Sequence, residues 1–214
     1  VVDPQMRIAG SLHLEAPADL LRRALESGTT ARARWMRAEE LGRRDDVPTI
    51  RSLAGAQGKE DEAWMVRSEA ARSLGKTRGD DALRALTEHA KAGHPKVRRA
   101  VAGALGAFRT EKSMKVLAKL AKKDPSYLVE AEASRALGRT RQKGVGETLL
   151  SLVDRESWAD VVRAGALDGL GQLGDESTLD DVLPWTRYGV PTRGRRAAIA
   201  ATTRISDHRK VRRC

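Results

Sequence analysis

Residues 66–75 read VRSEAARSLG, and variants of this stretch return along the chain. They are VRRAVAGALG at 97–106, VEAEASRALG at 129–138 and VRAGALDGLG at 162–171. Successive Leu-Gly pairs, counted from Leu41-Gly42, lie 31 to 33 residues apart, and Ile205-Ser206 continues the series as a degenerate copy. The valine, the small residue and the leucine of each copy are spaced by four, so they share one face of an α-helix. Small residues in the middle of that face let a neighbouring helix approach closely, which predicts a stack of helices.

Other amphipathic segments lie between these copies. They cover roughly residues 18–25, 47–53, 81–90, 112–121, 147–153 and 179–183. The glycine after each leucine suits the left-handed position that ends a helix. A single helix pair cannot bury its own apolar face, and stacking supplies the core. We therefore expect an all-α fold, a right-handed superhelix (solenoid) of about six short HEAT-like helix pairs over residues 17–214.

Composition agrees with a helical protein. Aromatic residues are only 3% of the 214 residues, which disfavours a β-sandwich or barrel. No apolar run of about 18 residues suggests a membrane span, and the one cysteine, Cys214, excludes an intramolecular disulfide. The chain shows no targeting segment, and we predict a cytoplasmic location.

The net charge of +11 is banded along the chain. Residues 91–123 carry net +9, residues 124–186 carry net −6, and residues 187–214 carry net +8. A nucleic-acid footprint would be a continuous basic surface, so this banding disfavours nucleic acid as a partner. Whether the two basic segments bind another partner stays open from the sequence.

No motif for catalysis, cofactor binding or metal binding is predicted in this chain. The four histidines, His13, His89, His94 and His208, are never followed by glutamate, so a His-Glu-x-x-His zinc helix is excluded. Residues 169–174 match G-x-G-x-x-G, but a helix precedes them where the dinucleotide fingerprint needs a strand.

The most regular polar feature is an arginine at one repeat position, seven residues before the repeat leucine. Its members are Arg34, Arg67, Arg98 and Arg163, and Glu130 takes this position in the fourth copy. These arginines form either a binding strip for acidic groups or a structural ladder that ties helices to neighbouring carboxylates and carbonyls. The residues favour the structural ladder without excluding the binding strip.

A family resemblance is carried by two helices. Residues 61–75, DEAWMVRSEAARSLG, resemble the D-x-x-W-x-V-R-x-E-A-A-x-x-L-G helix in the C-terminal domain of bacterial M1-family zinc aminopeptidases. Residues 31–42, ARARWMRAEELG, are similar to the preceding R-x-x-A-A-E-x-L-G helix, with Arg37 where that pattern has alanine. Residues 1–16 resemble the segment that leaves that family's β-sandwich domain.

The resemblance implies a non-catalytic accessory domain that caps an aminopeptidase active site and shapes access of peptides to it. The zinc ligands and the exopeptidase motif would belong to a catalytic domain absent from this chain, so no cofactor is expected here. That catalytic domain and a peptide substrate would be the partners, and the chain would stop within a further repeat. The alternatives are a free-standing HEAT-like protein-binding scaffold and a basic HEAT-fold nucleic-acid binder.

Overall fold

The structure, a computed structural model, describes residues 17–44, 46–59 and 62–213. Over these residues it contains twelve α-helices, three 3₁₀ turns and no strand, so the prediction of an all-α fold is confirmed. No helix in these ranges is long and apolar enough to cross a bilayer. The segment 1–16, predicted to lead in from a β-sandwich domain, lies outside the described residues.

The helices alternate as first and second members of six pairs. The first helices are α1 (Ala18–Ser27), α3 (Val47–Gly58), α5 (Asp80–Glu88), α7 (Glu111–Lys123), α9 (Val145–Val153) and α11 (Leu179–Val182). The second helices are α2 (Ala31–Leu41), α4 (Trp64–Thr77), α6 (Pro95–Leu105), α8 (Tyr127–Thr140), α10 (Val161–Leu173) and α12 (Thr192–Arg213). The 3₁₀ turns are Trp158–Asp160, Glu176–Thr178 and Leu183–Thr186. The chain divides into two compact units, residues 1–104 (unit 1) and 105–214 (unit 2).

Side-chain caps begin several of the helices. The Thr30 hydroxyl accepts a hydrogen bond from the backbone N–H of Ala33 at the start of α2. Thr110 does the same for α7, where Ser113 returns a bond to the Thr110 backbone and completes a capping box. Such caps satisfy N–H groups that have no partner inside the helix, so they fix where each helix begins.

The repeated valine, small residue and leucine form the core of each unit. In unit 1, Val66, Ala70 and Leu74 of α4 have no exposed surface. In unit 2 the same holds for the corresponding residues of α8 and α10, Val129, Ala133, Leu137, Val162, Ala166 and Leu170, each at most 1% exposed. The predicted helical face is therefore confirmed, and each buried leucine contributes about 1.5–3 kcal/mol relative to an exposed one.

None of the repeat glycines adopts the left-handed conformation that the sequence predicted, and although α2 and α6 end directly before Gly42 and Gly106, the other repeat helices continue past the glycine. Gly75 and Gly138 lie inside α4 and α8, and these helices end at Arg78 and Arg141, which adopt left-handed backbone conformations. The physical reason is the close approach of successive second helices. A Cβ atom on Gly138 would lie 2.0 Å from the carbonyl oxygen of Gly169.

The same contact recurs in both units. A Cβ atom on Gly42 would lie 2.4 Å from Oγ of Ser73, and one on Gly75 would lie 2.9 Å from Cα of Ala104. In each case the facing residue directly precedes the next repeat leucine. Glycine is therefore required at this repeat position because second helices cross there at backbone distance.

Candidate functional site

Arg34, the first ladder arginine, ties the two helices of its pair together. Its Nη1 donates to the carbonyl oxygen of Gly28, which follows α1. Its Nε and Nη2 donate to the two carboxylate oxygens of Glu62 at 2.7 and 2.8 Å, a bidentate pair. Burial raises the pKa of Glu62, but the hydrogen bonds from Arg34 and from the Ala63 backbone outweigh burial and hold that pKa below its ordinary value.

Arg67 and Arg98 make the equivalent backbone contacts in unit 1. The Nε of Arg67 donates to the Gln57 carbonyl in the last turn of α3 at 3.1 Å. The Nη1 of Arg98 donates to the carbonyls of Ala92 and Gly93, which follow α5, at 3.0 and 2.8 Å. The last carbonyls of a helix have no N–H donor inside it, so Arg67 satisfies the Gln57 carbonyl from the next helix, while Arg98 binds two loop carbonyls after α5.

Arg163 repeats the arrangement in unit 2. Its Nε donates to the carbonyl of Val153, the last residue of α9, at 2.7 Å. Its Nη1 pairs with Asp160, and its guanidinium lies 4.5 Å from the centre of the Trp185 ring. All four predicted site residues therefore bind backbone carbonyls in the last turn of the first helix of their own pair or in the loop that follows it. Whether they also bind a ligand stays a prediction.

Glu130, the exception in the ladder, is compensated by an arginine from elsewhere in the chain. Arg155, two residues after α9, places Nη2 2.9 Å from Oε1 of Glu130. The same guanidinium donates through Nη1 to the carbonyl of Lys122, near the end of α7, at 2.6 Å. Arg155 thus contacts α7, the first helix of this pair, as a ladder arginine does. Glu130 at the ladder position supplies the carboxylate that pairs with it. The repeat pattern does not predict that Arg155 takes the role of the ladder arginine, because Arg155 and Glu130 lie 25 residues apart.

Exposed apolar side chains mark the start of one second helix in each unit. They are Trp64 and Met65 in α4 and Tyr127 and Leu128 in α8, and each is between 38% and 52% exposed. Both pairs lie ten and nine residues before the repeat leucine. These pairs were not predicted from the sequence, although aligning the repeats on the leucine shows a large apolar pair at this position in these two copies.

Trp64 is also held in a defined orientation. Its ring stacks on His94 with 5.5 Å between ring centres and an interplanar angle of 12°. The ammonium of Lys96 lies 4.0 Å from the centre of the indole ring, a cation–π contact. The exposed indole of unit 1 is therefore fixed by neighbours while part of its surface faces solvent.

Among the described residues, no group of three or more His, Cys, Asp or Glu side chains lies close enough to hold a metal ion. A shallow depression of unit 1 lies beside α1 and α3 and is lined by residues such as Leu25, Glu26, Ser52 and Ala56. Its Ser52 hydroxyl donates a hydrogen bond to Oε1 of Glu26 at 3.4 Å, and no histidine or cysteine is among its lining residues. The candidate sites are therefore surfaces.

Comparison with known families decides the kind of protein. A family model of HEAT repeats matches residues 56–133 and 115–203, which together cover more than half of the chain. The chain belongs to the HEAT-repeat family. No curated protein sequence matches it significantly.

Three solved structures are similar to these HEAT repeats. A crystal structure of an engineered protein shares 19% identity and a TM-score of 0.53, and covers 89% of this chain and 97% of its own. The complex of CpcE and CpcF of phycocyanin lyase from a Nostoc species shares 16% identity and a TM-score of 0.50, over 93% and 98% of the two chains. Human deoxyhypusine hydroxylase shares 16% identity and a TM-score of 0.44, over 90% and 86%. At these identities the first two likenesses show the fold alone.

The interpretation as the C-terminal domain of an M1-family aminopeptidase is wrong. The matching family model is that of HEAT repeats, and the two structures with TM-scores of 0.53 and 0.50 are an engineered protein and a phycocyanin lyase complex. The resemblance rested on residues that helix stacking requires: Val66, Ala70 and Leu74 are core, Gly75 is a crossing point and Arg67 binds a carbonyl. The catalytic-domain partner, the peptide substrate and the distant zinc have no support without that resemblance.

Proposed function

We propose that this HEAT-repeat chain is a scaffold that binds protein partners through the exposed starts of its second helices. The observation that carries this proposal is the recurrence of a large, exposed apolar pair at one repeat position, Trp64-Met65 in unit 1 and Tyr127-Leu128 in unit 2. The fold needs none of this surface exposed, because core positions four residues apart already fill the stack.

The chemistry of these residues suits a protein interface. Tryptophan, tyrosine and methionine are enriched at interfaces, and aromatic anchors carry much of the binding energy there. Burying the exposed part of one such side chain would contribute on the order of 1 kcal/mol. Each pair would therefore give modest binding by itself.

Contacts around the unit 1 pair supply rigidity. In unit 1 the ladder arginine Arg67 ties α4 to the end of α3, and Trp64 stacks on His94. A surface that is ordered before binding loses less conformational entropy when the partner arrives. The complex of CpcE with CpcF is a precedent for a protein of this fold in a protein–protein assembly. The proposal requires no cofactor in this chain, and we retain the cytoplasm as the expected location.

The experiment compares wild type with the double variant Met65→Ser/Leu128→Ser. Immobilised protein is incubated with lysate of the source organism, retained proteins are identified, and each is produced recombinantly for titration calorimetry. The matched control is Ile199→Ser, since Ile199 is similarly exposed but lies on α12 outside both pairs. We expect a partner whose affinity falls about tenfold or more in the double variant and is unchanged in the control. Partners that bind both variants equally would contradict the proposal.

A further inference from the structure

Three segments of unit 2 meet at the first turn of α12. The meeting point is Gly194, on which a Cβ atom would lie 2.5 Å from Oδ2 of Asp160 and 3.4 Å from Cδ of Arg163. Arg163 in turn lies over the Trp185 ring. The 3₁₀ turn before α10, the turn Leu183–Thr186 and the start of α12 are therefore neighbours on one side of unit 2.

Two aromatic side chains of these segments face solvent. Trp158 is 73% exposed and Tyr188 is 96% exposed, more than any other large apolar side chain among the described residues. Arg195 lies over Tyr188, with 5.7 Å from the guanidinium carbon to the ring centre. Tryptophan, tyrosine and arginine are the residues that dominate binding hot spots, and all three occur in or beside these neighbouring segments.

The backbone next to Trp158 is strained. Ala159 and Asp160 both adopt left-handed conformations, with φ of 49° and 62°. Residues other than glycine rarely adopt this conformation, and strain of this kind persists where the surroundings enforce it, often at binding sites. Buried Asp160 supplies that constraint through its pairing with Arg163.

The charge at this place is unbalanced. Residues 187–196 contain four arginines and no acidic residue. Arg193, Arg195 and Arg196 lie in or beside the first turn of α12, which contains no acidic residue, and positive charge is unfavourable at the positive end of a helix dipole. Exposed Arg187, Arg193 and Arg196 have no ion-pair partner among the residues that the structure describes. An anionic partner would relieve this repulsion.

We propose that Trp158, Tyr188, Arg187, Arg193 and Arg196, the arginine–aromatic surface, dock an acidic segment of a protein partner. The inference rests on the proposed protein-binding function and names the partner's chemistry. The guanidinium groups would pair with carboxylates of the segment, and the two exposed rings would cover its apolar side chains.

A nucleic acid fits this surface less well. The preceding residues 175–181 carry four acidic side chains and no basic one, and Asp175, Asp180 and Asp181 are exposed. These carboxylates would repel a phosphate backbone that extends past the arginines. A short acidic peptide can contact the arginines without reaching them.

The test uses the full chain and a displayed library of random 12-residue peptides. We expect selection of peptides that combine acidic residues with at least one large apolar residue. Selected peptides are labelled with fluorescein, and their Kd values are measured by anisotropy. The variant Arg193→Glu/Arg196→Glu should weaken binding by about tenfold or more, and Tyr188→Ala should act in the same direction.

The charge-matched control is Lys112→Glu/Lys119→Glu, which reverses two exposed charges on α7 of the same unit. It should change Kd by less than about twofold, because general attraction at a distance is screened at physiological salt. Equal weakening in the control and in the arginine variant would overturn the inference. Circular dichroism checks that each variant is folded.

Two other outcomes distinguish this inference from the proposed function. Peptides whose Kd is unchanged in the arginine variant but rises in Met65→Ser/Leu128→Ser would overturn the inference and leave the proposed function standing. The absence of any selected peptide would count against both. Binding of fluorescein-labelled single-stranded oligothymidine that is tighter than that of the peptides and lost in the arginine variant would overturn the inference in favour of nucleic acid.

Discussion

Arg155→Met is the substitution whose effect is best defined by the structure. Glu130 has a side chain with no exposed surface, while Arg155 is 37% exposed and lies 2.9 Å from it. Removing the guanidinium leaves a buried carboxylate without a counter-charge and the Lys122 carbonyl without its donor. We therefore expect unit 2 to lose stability, by an amount that depends on pH.

The size of the stability loss depends on the protonation of the Glu130 carboxyl. Burial raises its pKa, and Arg155 opposes that rise, so the variant raises this pKa further. The pKa of Glu130 is raised on folding. Its contribution to the free energy of unfolding is therefore fully present below the ordinary pKa and is lost as pH rises through the folded-state pKa. The carboxyl can bind a proton instead of staying charged, which costs at most about 3.7 kcal/mol at pH 7 and about 1 kcal/mol at pH 5.

The lost hydrogen bond to the Lys122 carbonyl adds about 1 kcal/mol at either pH. The expected destabilisation is then up to about 4–5 kcal/mol at pH 7 and about 2 kcal/mol at pH 5, within the range for broken buried ion pairs. The double variant Glu130→Gln/Arg155→Met removes the carboxylate as well and should recover about 2 kcal/mol or more at pH 7.

The assay is urea unfolding followed by far-UV circular dichroism at both pH values, with hydrogen exchange of α8 and α10 amides to assign the change to unit 2. The control is Lys115→Met, which breaks an exposed pair with Glu111 on α7 and should leave the free energy of unfolding nearly unchanged, because exposed ion pairs contribute little. A loss that is equal at pH 5 and pH 7, or a double variant no more stable than the single one, would refute the assignment of Arg155 as the partner of a buried charge.

Two further predictions concern helix crossing and helix capping. Gly138→Ala should destabilise unit 2 by about 1–3 kcal/mol or more because its Cβ would meet the Gly169 carbonyl. The control Gly146→Ala, whose Cβ would have contacts at 3.5 Å, should be neutral or stabilising. Thermal unfolding measures both variants, and a greater loss of stability in Gly146→Ala would contradict the helix crossing at Gly138. Asp46 accepts from the backbone and hydroxyl of Thr49, and the Thr49 hydroxyl is the main reason that its pKa lies below the ordinary value. Asp46→Ala should therefore cost about 1 kcal/mol at pH 7, and the difference from wild type should shrink as pH falls below about 4. Urea unfolding at pH 7 and pH 3 measures it, and a constant difference would exclude the carboxylate as the cap.

The sequence was sufficient for the helices and the core. Helix periodicity is local, because residues four apart share a face whatever the rest of the chain does. The spacing of Val66, Ala70 and Leu74 therefore predicted both the second helix and its buried side, and its recurrence predicted the stack. The four ladder arginines were also recognisable as a set, since each lies seven residues before a repeat leucine.

Predictions from the sequence were wrong at positions whose role depends on a neighbouring repeat. Glycine after leucine is compatible both with a helix end and with a close helix crossing, and only the position of Gly169 against Gly138 decides for the crossing. The resemblance to an aminopeptidase domain failed for a related reason, because the quoted residues record the packing of HEAT repeats and carry no information about what the surface binds.

What the sequence by itself determined is which residues lie inside each helix pair. Tertiary structure decided which residues meet across about 25 to 35 positions: the Arg155–Glu130 pair, the glycine crossings, and the surface that Trp158, Tyr188 and the arginines of α12 share. The physical reason is that burial along a helix follows from its 3.6-residue period, whereas contacts between repeats depend on how the helices stack, which no short stretch of sequence specifies.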